Sequence, residues 1–112
     1  MTMIDRRSGR DRRVSDRYKV TIDIEWESAA GVRRPGTISD ISINGCFVLG
    51  GGDATDGETI TLYFPIGDDM VYDVTGTVEN HVPDIGFALK FRDLTTVQRA
   101  LIAKIVERSK QR

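Results

Sequence analysis

The chain alternates apolar and polar residues over short segments separated by glycine-rich turns, and this pattern restricts its fold more than any other feature. In the segment 20–26, the apolar positions of the alternation are Val20, Ile22, Ile24 and Trp26. A period of two places these side chains on one face of a half-buried antiparallel strand. A chain made of such segments has to bury one face of a sheet.

The other segments that predict strands span residues 34–42, 46–49, 58–66, 71–82 and 85–91. Gly76 lies inside the fifth segment and predicts a bulge or bend there. In the last segment, Ile85 begins an alternation that continues through Phe87, so we expect Ile85 to face inward. Six short strands bounded by turns predict a mainly β domain, either a small antiparallel barrel or a sandwich.

The period changes to that of a helix after Thr95. The apolar residues Val97, Leu101 and Ile105, with their neighbours Ile102 and Val106, fall on one helical stripe. We expect the face of Val97, Leu101 and Ile105 to cover the barrel. Thr95 and Gln98 have the spacing of a capping box, which predicts the helix start.

Composition excludes several classes of protein. The 112 residues suit a single domain, and no apolar run approaches the ~20 residues that a membrane helix needs. Charges near the N-terminus are not followed by an apolar stretch, so we expect no secretory signal and a cytoplasmic protein. Cys46 and His81 are the only residues of their types, and no catalytic or metal-binding group can be assembled around them. We therefore expect a protein that is not an enzyme, without a metal or cofactor.

The charge is distributed unevenly along the chain. Residues 1–19 contain seven basic and three acidic residues, a net charge of +4, whereas the whole chain carries −1. We interpret residues 1–18 as a flexible arginine-rich arm and residues 19–112 as the barrel with its helix. A basic arm on an acidic body favours a local anion site over a general nucleic-acid-binding surface.

Two short motifs flank the first two predicted strands. Arg13 and Arg17 form R-x-x-x-R just before the first strand, with Arg12 preceding them, and Asp40, Ser42 and Gly45 form D-x-S-x-x-G after the second. In this order and on these elements, the motifs resemble those of the PilZ domain family. The resemblance implies a six-stranded antiparallel β-barrel with a C-terminal α-helix, and binding of the bacterial second messenger cyclic di-GMP.

The residue types in these motifs suit that ligand. The planar fork of arginine matches the adjacent O6 and N7 acceptors of guanine, and arginine also pairs with phosphate. We expect Asp40 to accept hydrogen bonds from the N1–H and N2 amine of guanine, and Ser42 to add a hydroxyl contact. Gly45 is expected to adopt a conformation closed to other residues or to let the backbone approach the base.

The arm is expected to fold onto the ligand when it binds, with Arg12, Arg13 and Arg17 closing over a guanine held by the barrel. In the family, an arginine at the position of Arg12 is associated with two stacked ligands, which implies an intercalated cyclic di-GMP dimer. Arg10 and Asn44 are additional candidate contacts, and Asn44 also tolerates a left-handed turn.

Two other functions stay open at this stage. One is an interaction adaptor with weak or no nucleotide binding, as in family members that lack the arginine motif. The less favoured alternative is a single-stranded nucleic-acid binder, but few aromatic residues lie near the arm for base stacking. We therefore expect cyclic di-GMP and an unidentified effector protein as partners, no DNA, RNA or membrane, and a monomer or weak dimer. The processes implied are motility, biofilm formation and exopolysaccharide production.

Overall fold

A computed structural model describes residues 16–50, 54–66 and 70–110. The elements in chain order are β1 (Tyr18–Glu27), β2 (Arg33–Ile41), β3 (Gly45–Leu49), β4 (Thr59–Ile66), β5 (Met70–Val82), β6 (Gly86–Phe91) and the helix α1 (Thr96–Lys110).

The strands close into an antiparallel barrel in the order β1-β2-β3-β6-β5-β4. The prediction of a six-stranded antiparallel barrel with a C-terminal helix is therefore confirmed. This order places the start of β3 beside the end of β6, which in turn pairs with the middle of β5. Residues far apart in sequence thus meet on one side of the barrel.

The interior is filled by the apolar positions of the alternating segments. Trp26 is 1% exposed, and its ring meets Phe87 edge-on with the centroids 5.0 Å apart. Burying such a side chain contributes roughly 1.5–3 kcal/mol relative to leaving it in water. The other buried members of the core are Ile24, Ile38, Ile41, Cys46, Val48, Ala54, Ile60, Leu62, Phe64, Val74, Val78, Leu89, Phe91, Ile102 and Val106.

Helix α1 begins as predicted, and most of the predicted stripe faces the barrel. The Thr95 backbone N–H donates to Gln98 Oε1 at 2.7 Å, and the Gln98 N–H donates to Thr95 Oγ1 at 3.1 Å, which confirms the capping box. Ile102 and Val106 of the stripe are buried and Ile105 is partly buried, whereas the prediction is wrong for Val97, which is 64% exposed. Each step of four residues rotates about 40° past a full turn, so a stripe in such steps drifts off the contact face.

Two expectations about β5 and β6 are also corrected. Ile85 is 52% exposed because it lies in the turn before β6 begins at Gly86. Gly76 carries no bulge, since the register shift of β5 lies between Val78 and Asn80. A Cβ at Gly76 would lie 2.6 Å from the carbonyl oxygen of Lys90, so glycine here permits a close approach of β6.

The seam between β1 and β4 is short, since they pair only at the segment Glu25–Glu27 of β1. Helix α1 packs against β1, where Val20 and Ile22 are partly buried against the core together with Ile105. Within the described ranges, no helix has both the length and the apolar character needed to cross a bilayer.

Candidate functional site

The two motifs meet through an ion pair between Arg17 and Asp40. Arg17 immediately precedes β1, and its Nη1 donates to Asp40 Oδ1 at 2.7 Å. The side chains keep 44% and 30% of their exposure, respectively. A partly exposed pair of this kind contributes only about 0–1 kcal/mol to stability. Its main effect is therefore to favour the position of the Arg17 guanidinium group beside Asp40.

Asp40 is presented by irregularities in the strand pairing on both sides of it. The β1–β2 register shifts between Lys19 and Ile22, and Asp40 pairs with Lys19 at that end. The β2–β3 register shifts between Ile38 and Asp40. Such irregularities change the direction in which a side chain leaves the sheet. Asp40 thereby reaches the arginine that enters β1.

Ser42 organises the turn between β2 and β3. Its Oγ accepts hydrogen bonds from the backbone N–H groups of Asn44 and Gly45, both at 3.1 Å, and donates to the Gly45 carbonyl at 3.3 Å. The residue is 1% exposed. A hydroxyl has one donor and two acceptor sites, so this turn uses its full capacity. A ligand contact through Ser42 stays a prediction.

Gly45 is required by the packing of β3 against β6. A Cβ at this position would overlap the carbonyl oxygen of Leu89. Among the described glycines only Gly31 and Gly57 have positive φ, so Gly45 does not need left-handed backbone freedom. Asn44 likewise is not among the described residues with positive φ. The motif glycine therefore has a structural reason that the sequence did not suggest.

A cleft of about 270 Å³ opens beside this turn. Its lining residues are Arg17, Ser42, Asn44, Gly45, Glu79, Leu89 and Lys90. The cleft thus brings Arg17 together with the D-x-S-x-x-G turn, as the motifs predict, and Asp40 bonds Arg17 without itself lining the cleft. Its volume is below the ~300–1,000 Å³ typical of sites that enclose a whole drug-sized ligand. It suits one planar ring system with polar edges.

Glu79 and Lys90 also line the cleft, although the sequence motifs include neither. Lys90 pairs with Gly45 on β3 and with Thr77 on β5, which places it at the cleft. Glu79 lies at the register shift of β5. Neither position belongs to a motif, and only the strand order brings them beside the turn. The cleft therefore combines cationic donors with a carboxylate acceptor.

The remaining candidates lie elsewhere. Arg10, Arg12 and Arg13 lie outside the described residues. Burial strongly raises the pKa of the Cys46 thiol, and the negative charge of Asp40 raises it further, so this thiol stays protonated and unreactive. His81 Nδ1 lies 3.0 Å from Asp56 Oδ1 at an exposed position. In the part of the chain that the structure describes, no group of three or more His, Cys, Asp or Glu residues could hold a metal ion.

Comparisons with known proteins agree with this architecture. Residues 11–108 match the family model described as PilZ domain. No curated protein matches the sequence. A similar solved structure is the PilZ domain of CeSA from a cellulose-synthesizing bacterium, with a TM-score of 0.67 and 17% identity over 82% of this chain and 95% of that one.

Another similar structure is the Bacillus subtilis inhibitor of motility MotI/DgrA, with a TM-score of 0.66 and 16% identity. The match covers 97% of this chain and 54% of that protein, so the chain corresponds to about half of it. At these identities the two structures establish the shared fold.

Proposed function

Because the chain belongs to the PilZ domain family, whose members are generally cyclic di-GMP-binding effector domains, we propose that it is a non-enzymatic receptor for cyclic di-GMP. The observation that carries this proposal is the position of Arg17, which lines the cleft while its Nη1 donates to Asp40 Oδ1. This contact reduces the conformational entropy that the Arg17 side chain would lose on binding a ligand.

Arg17 has donors to spare for a base. Guanidinium has five N–H donors in a planar fork, and the described contact with Asp40 is made by Nη1. The remaining donors can pair with the O6 and N7 acceptors of guanine, the contact that arginine makes best with a base. The volume of the cleft, about 270 Å³, suits one guanine better than the whole dinucleotide.

The rest of the ligand would be bound by the N-terminal arm. Arg12 and Arg13 are proposed to pair with phosphates and with the second guanine, and Arg10 to add a phosphate contact. An intercalated ligand dimer is the proposed stoichiometry, and it depends on Arg12. Arg12→Ala should then reduce the ligand-to-protein ratio in a calorimetric titration without abolishing binding.

Signalling would pass to an effector protein through the arm. When arginines close over an anionic ligand, the charge on that side of the barrel changes, and a surface is exposed or covered for the partner. The proposed processes are motility, biofilm formation and exopolysaccharide production, in a cytoplasmic protein.

Calorimetric titration with cyclic di-GMP tests the proposal, with cyclic di-AMP as the control ligand. Arg17→Ala should weaken cyclic di-GMP binding by about 5- to 150-fold, the range of one bidentate base contact. Arg33→Ala is the matched control, because Arg33 Nε also bonds a carboxylate across β1 and β2, that of Glu25 at 2.8 Å, yet does not line this cleft.

Arg33→Ala should bind like the wild type. If the wild-type chain shows no saturable uptake of cyclic di-GMP, the receptor function is wrong and the interaction adaptor becomes the better hypothesis. If Arg33→Ala loses as much affinity as Arg17→Ala, the binding site is not the cleft.

A further inference from the structure

A pocket of about 380 Å³ opens at the end of the barrel opposite the candidate site. Its walls come from the end of β1, the β1–β2 turn, the start of β2 and the loop before β4. In the β1–β2 ladder, Trp26 pairs with Arg34 at this end, seven residues along β1 from the pair of Lys19 and Asp40 near the cleft. At about 3.3 Å per residue, these two pairs are roughly 23 Å apart. A ligand in this barrel-end pocket is therefore distinct from the one proposed for the cleft.

The barrel-end pocket contains one cation and one anion that do not pair with each other. Arg34 and Glu58 both line it, but the described ion pairs join other residues. Among the residues that the structure describes, the Arg34 guanidinium has no hydrogen-bond or ion-pair partner. Its five N–H donors are therefore available to a ligand.

Glu58 connects the walls of the pocket and still has acceptor capacity. Its Oε2 accepts the backbone N–H of Ala29 at 2.8 Å, and its Oε1 accepts that of Thr55 at 2.8 Å. These two bonds join the β1–β2 turn to the loop before β4, so the pocket is formed by contacts within the protein. A carboxylate has about four acceptor sites, so Glu58 can accept further hydrogen bonds from a ligand.

The other walls are largely apolar. Trp26 is 1% exposed, and its Nε1 is buried without a hydrogen-bond partner among the described residues. Trp26 and Arg34 are direct cross-strand partners, and such partners have Cβ atoms about 4.5–5.5 Å apart. Two neighbouring side chains thus carry unused donors. The other apolar lining residues are Ala29, Ala30 and Val32.

We propose that the barrel-end pocket binds a free α-amino acid with an apolar side chain. The carboxylate of the ligand pairs with Arg34, its ammonium group pairs with Glu58, and its side chain packs against the apolar walls. A ligand with only a carboxylate is attracted by Arg34 and repelled by Glu58, and a ligand with only an amine meets the reverse. A molecule that carries both charges matches this lining, and the volume lies in the ~300–1,000 Å³ range of small-molecule sites.

Fluorescence provides a direct measurement, because Trp26 is the only tryptophan of the chain and lines the pocket. The experiment titrates the full chain with L-leucine and determines the affinity from the change in emission. Two analogues of the same shape are the comparison ligands. 4-Methylpentanoate lacks the ammonium group, and L-leucinamide lacks the carboxylate.

L-Leucine should give a saturable change in emission, and each analogue should bind about 5- to 50-fold more weakly, since each loses one partly exposed charge-assisted contact. Arg34→Gln should bind L-leucine about as weakly as the wild type binds L-leucinamide. Arg33→Gln is the matched control and should bind L-leucine like the wild type. Arg33 neighbours Arg34 in the sequence, but its Nε donates to Glu25 Oε1 at 2.8 Å and it does not line the pocket.

Three results would overturn the inference. The first is a wild type without a saturable response to L-leucine at millimolar concentration. The second is equal affinity of the wild type for L-leucine and both analogues, a comparison that needs no variant. The third is unchanged L-leucine affinity in Arg34→Gln. None of these titrations contains cyclic di-GMP, so failure of the receptor function leaves the inference intact, and the reverse also holds.

Discussion

Replacing Gly45 by alanine tests whether the motif glycine is required by the barrel. The new Cβ would overlap the Leu89 carbonyl oxygen and lie 3.2 Å from the Leu89 carbonyl carbon and 3.3 Å from Lys90 Cα. All three are backbone atoms of β6, so the strain cannot be relieved by a side-chain rotation. The β3–β6 pairing has to separate instead.

The expected cost follows from two opposing terms. Overpacking a well-packed site costs about 1–3 kcal/mol. A Gly→Ala change also reduces the entropy of the unfolded chain, which stabilises the folded protein by about 0.4–1 kcal/mol. The net loss should be about 1–2 kcal/mol, which lowers the Tm of a domain of this size by roughly 4–8 °C.

Gly50 provides a matched control at the other end of β3. A Cβ there would have its nearest neighbour, the Pro35 carbonyl oxygen, at 3.4 Å, an ordinary contact. Thermal unfolding followed by far-ultraviolet circular dichroism should therefore show Gly45→Ala clearly below the wild type and Gly50→Ala close to it. The reasoning is refuted if the two variants melt together, or if Gly45→Ala melts with the wild type.

Two further predictions concern the core and its titration. Ile102→Ala should lower the free energy of unfolding by about 2–5 kcal/mol, because Ile102 is 1% exposed, whereas Val97→Ala should stay within about 0.5 kcal/mol of the wild type in urea; equal losses would contradict the assigned helix face. The folded-state pKa of Cys46 lies above its ordinary value of 9.0, so the unfolded chain releases the proton first and stability falls as the pH rises through 9. Between pH 7 and pH 10 the wild type should lose about 1.4 kcal/mol more than Cys46→Ala in urea titrations, and parallel curves for the two proteins would be inconsistent with a thiol buried in the folded state.

The alternation of apolar and polar residues was sufficient to predict where the strands lie. It was not sufficient to predict the residues at which they begin and end. Alternation with a period of two located β1 because its inward side chains repeat without interruption up to Trp26. Ile85 continued the same alternation but belongs to a turn, since apolar periodicity does not show where hydrogen bonding between strands begins. The prediction that Val97 faces the barrel failed for a related reason, because the contact face of α1 depends on where the helix lies on the barrel.

The site residues that belong to the motifs could be predicted from the sequence. The site residues that reach the cleft only through the strand order could not. Arg17 and Asp40 were expected together, and the ion pair between them places them together. The presence of Glu79 in the cleft could not be predicted, because Glu79 lies at an irregular pairing of β5 with β6. The acceptor role of Asp40 toward a guanine stays a prediction.

A double-mutant cycle on cyclic di-GMP affinity tests the central claim, that Asp40 acts by holding Arg17 at the cleft. The four proteins are the wild type, Arg17→Ala, Asp40→Ala and the double variant. Because the bridge contributes at most about 1 kcal/mol to stability, all four should remain folded. The account predicts that Asp40→Ala weakens binding in the wild type but changes little once Arg17 is absent. Additive losses, or a wild type that does not bind, would contradict it.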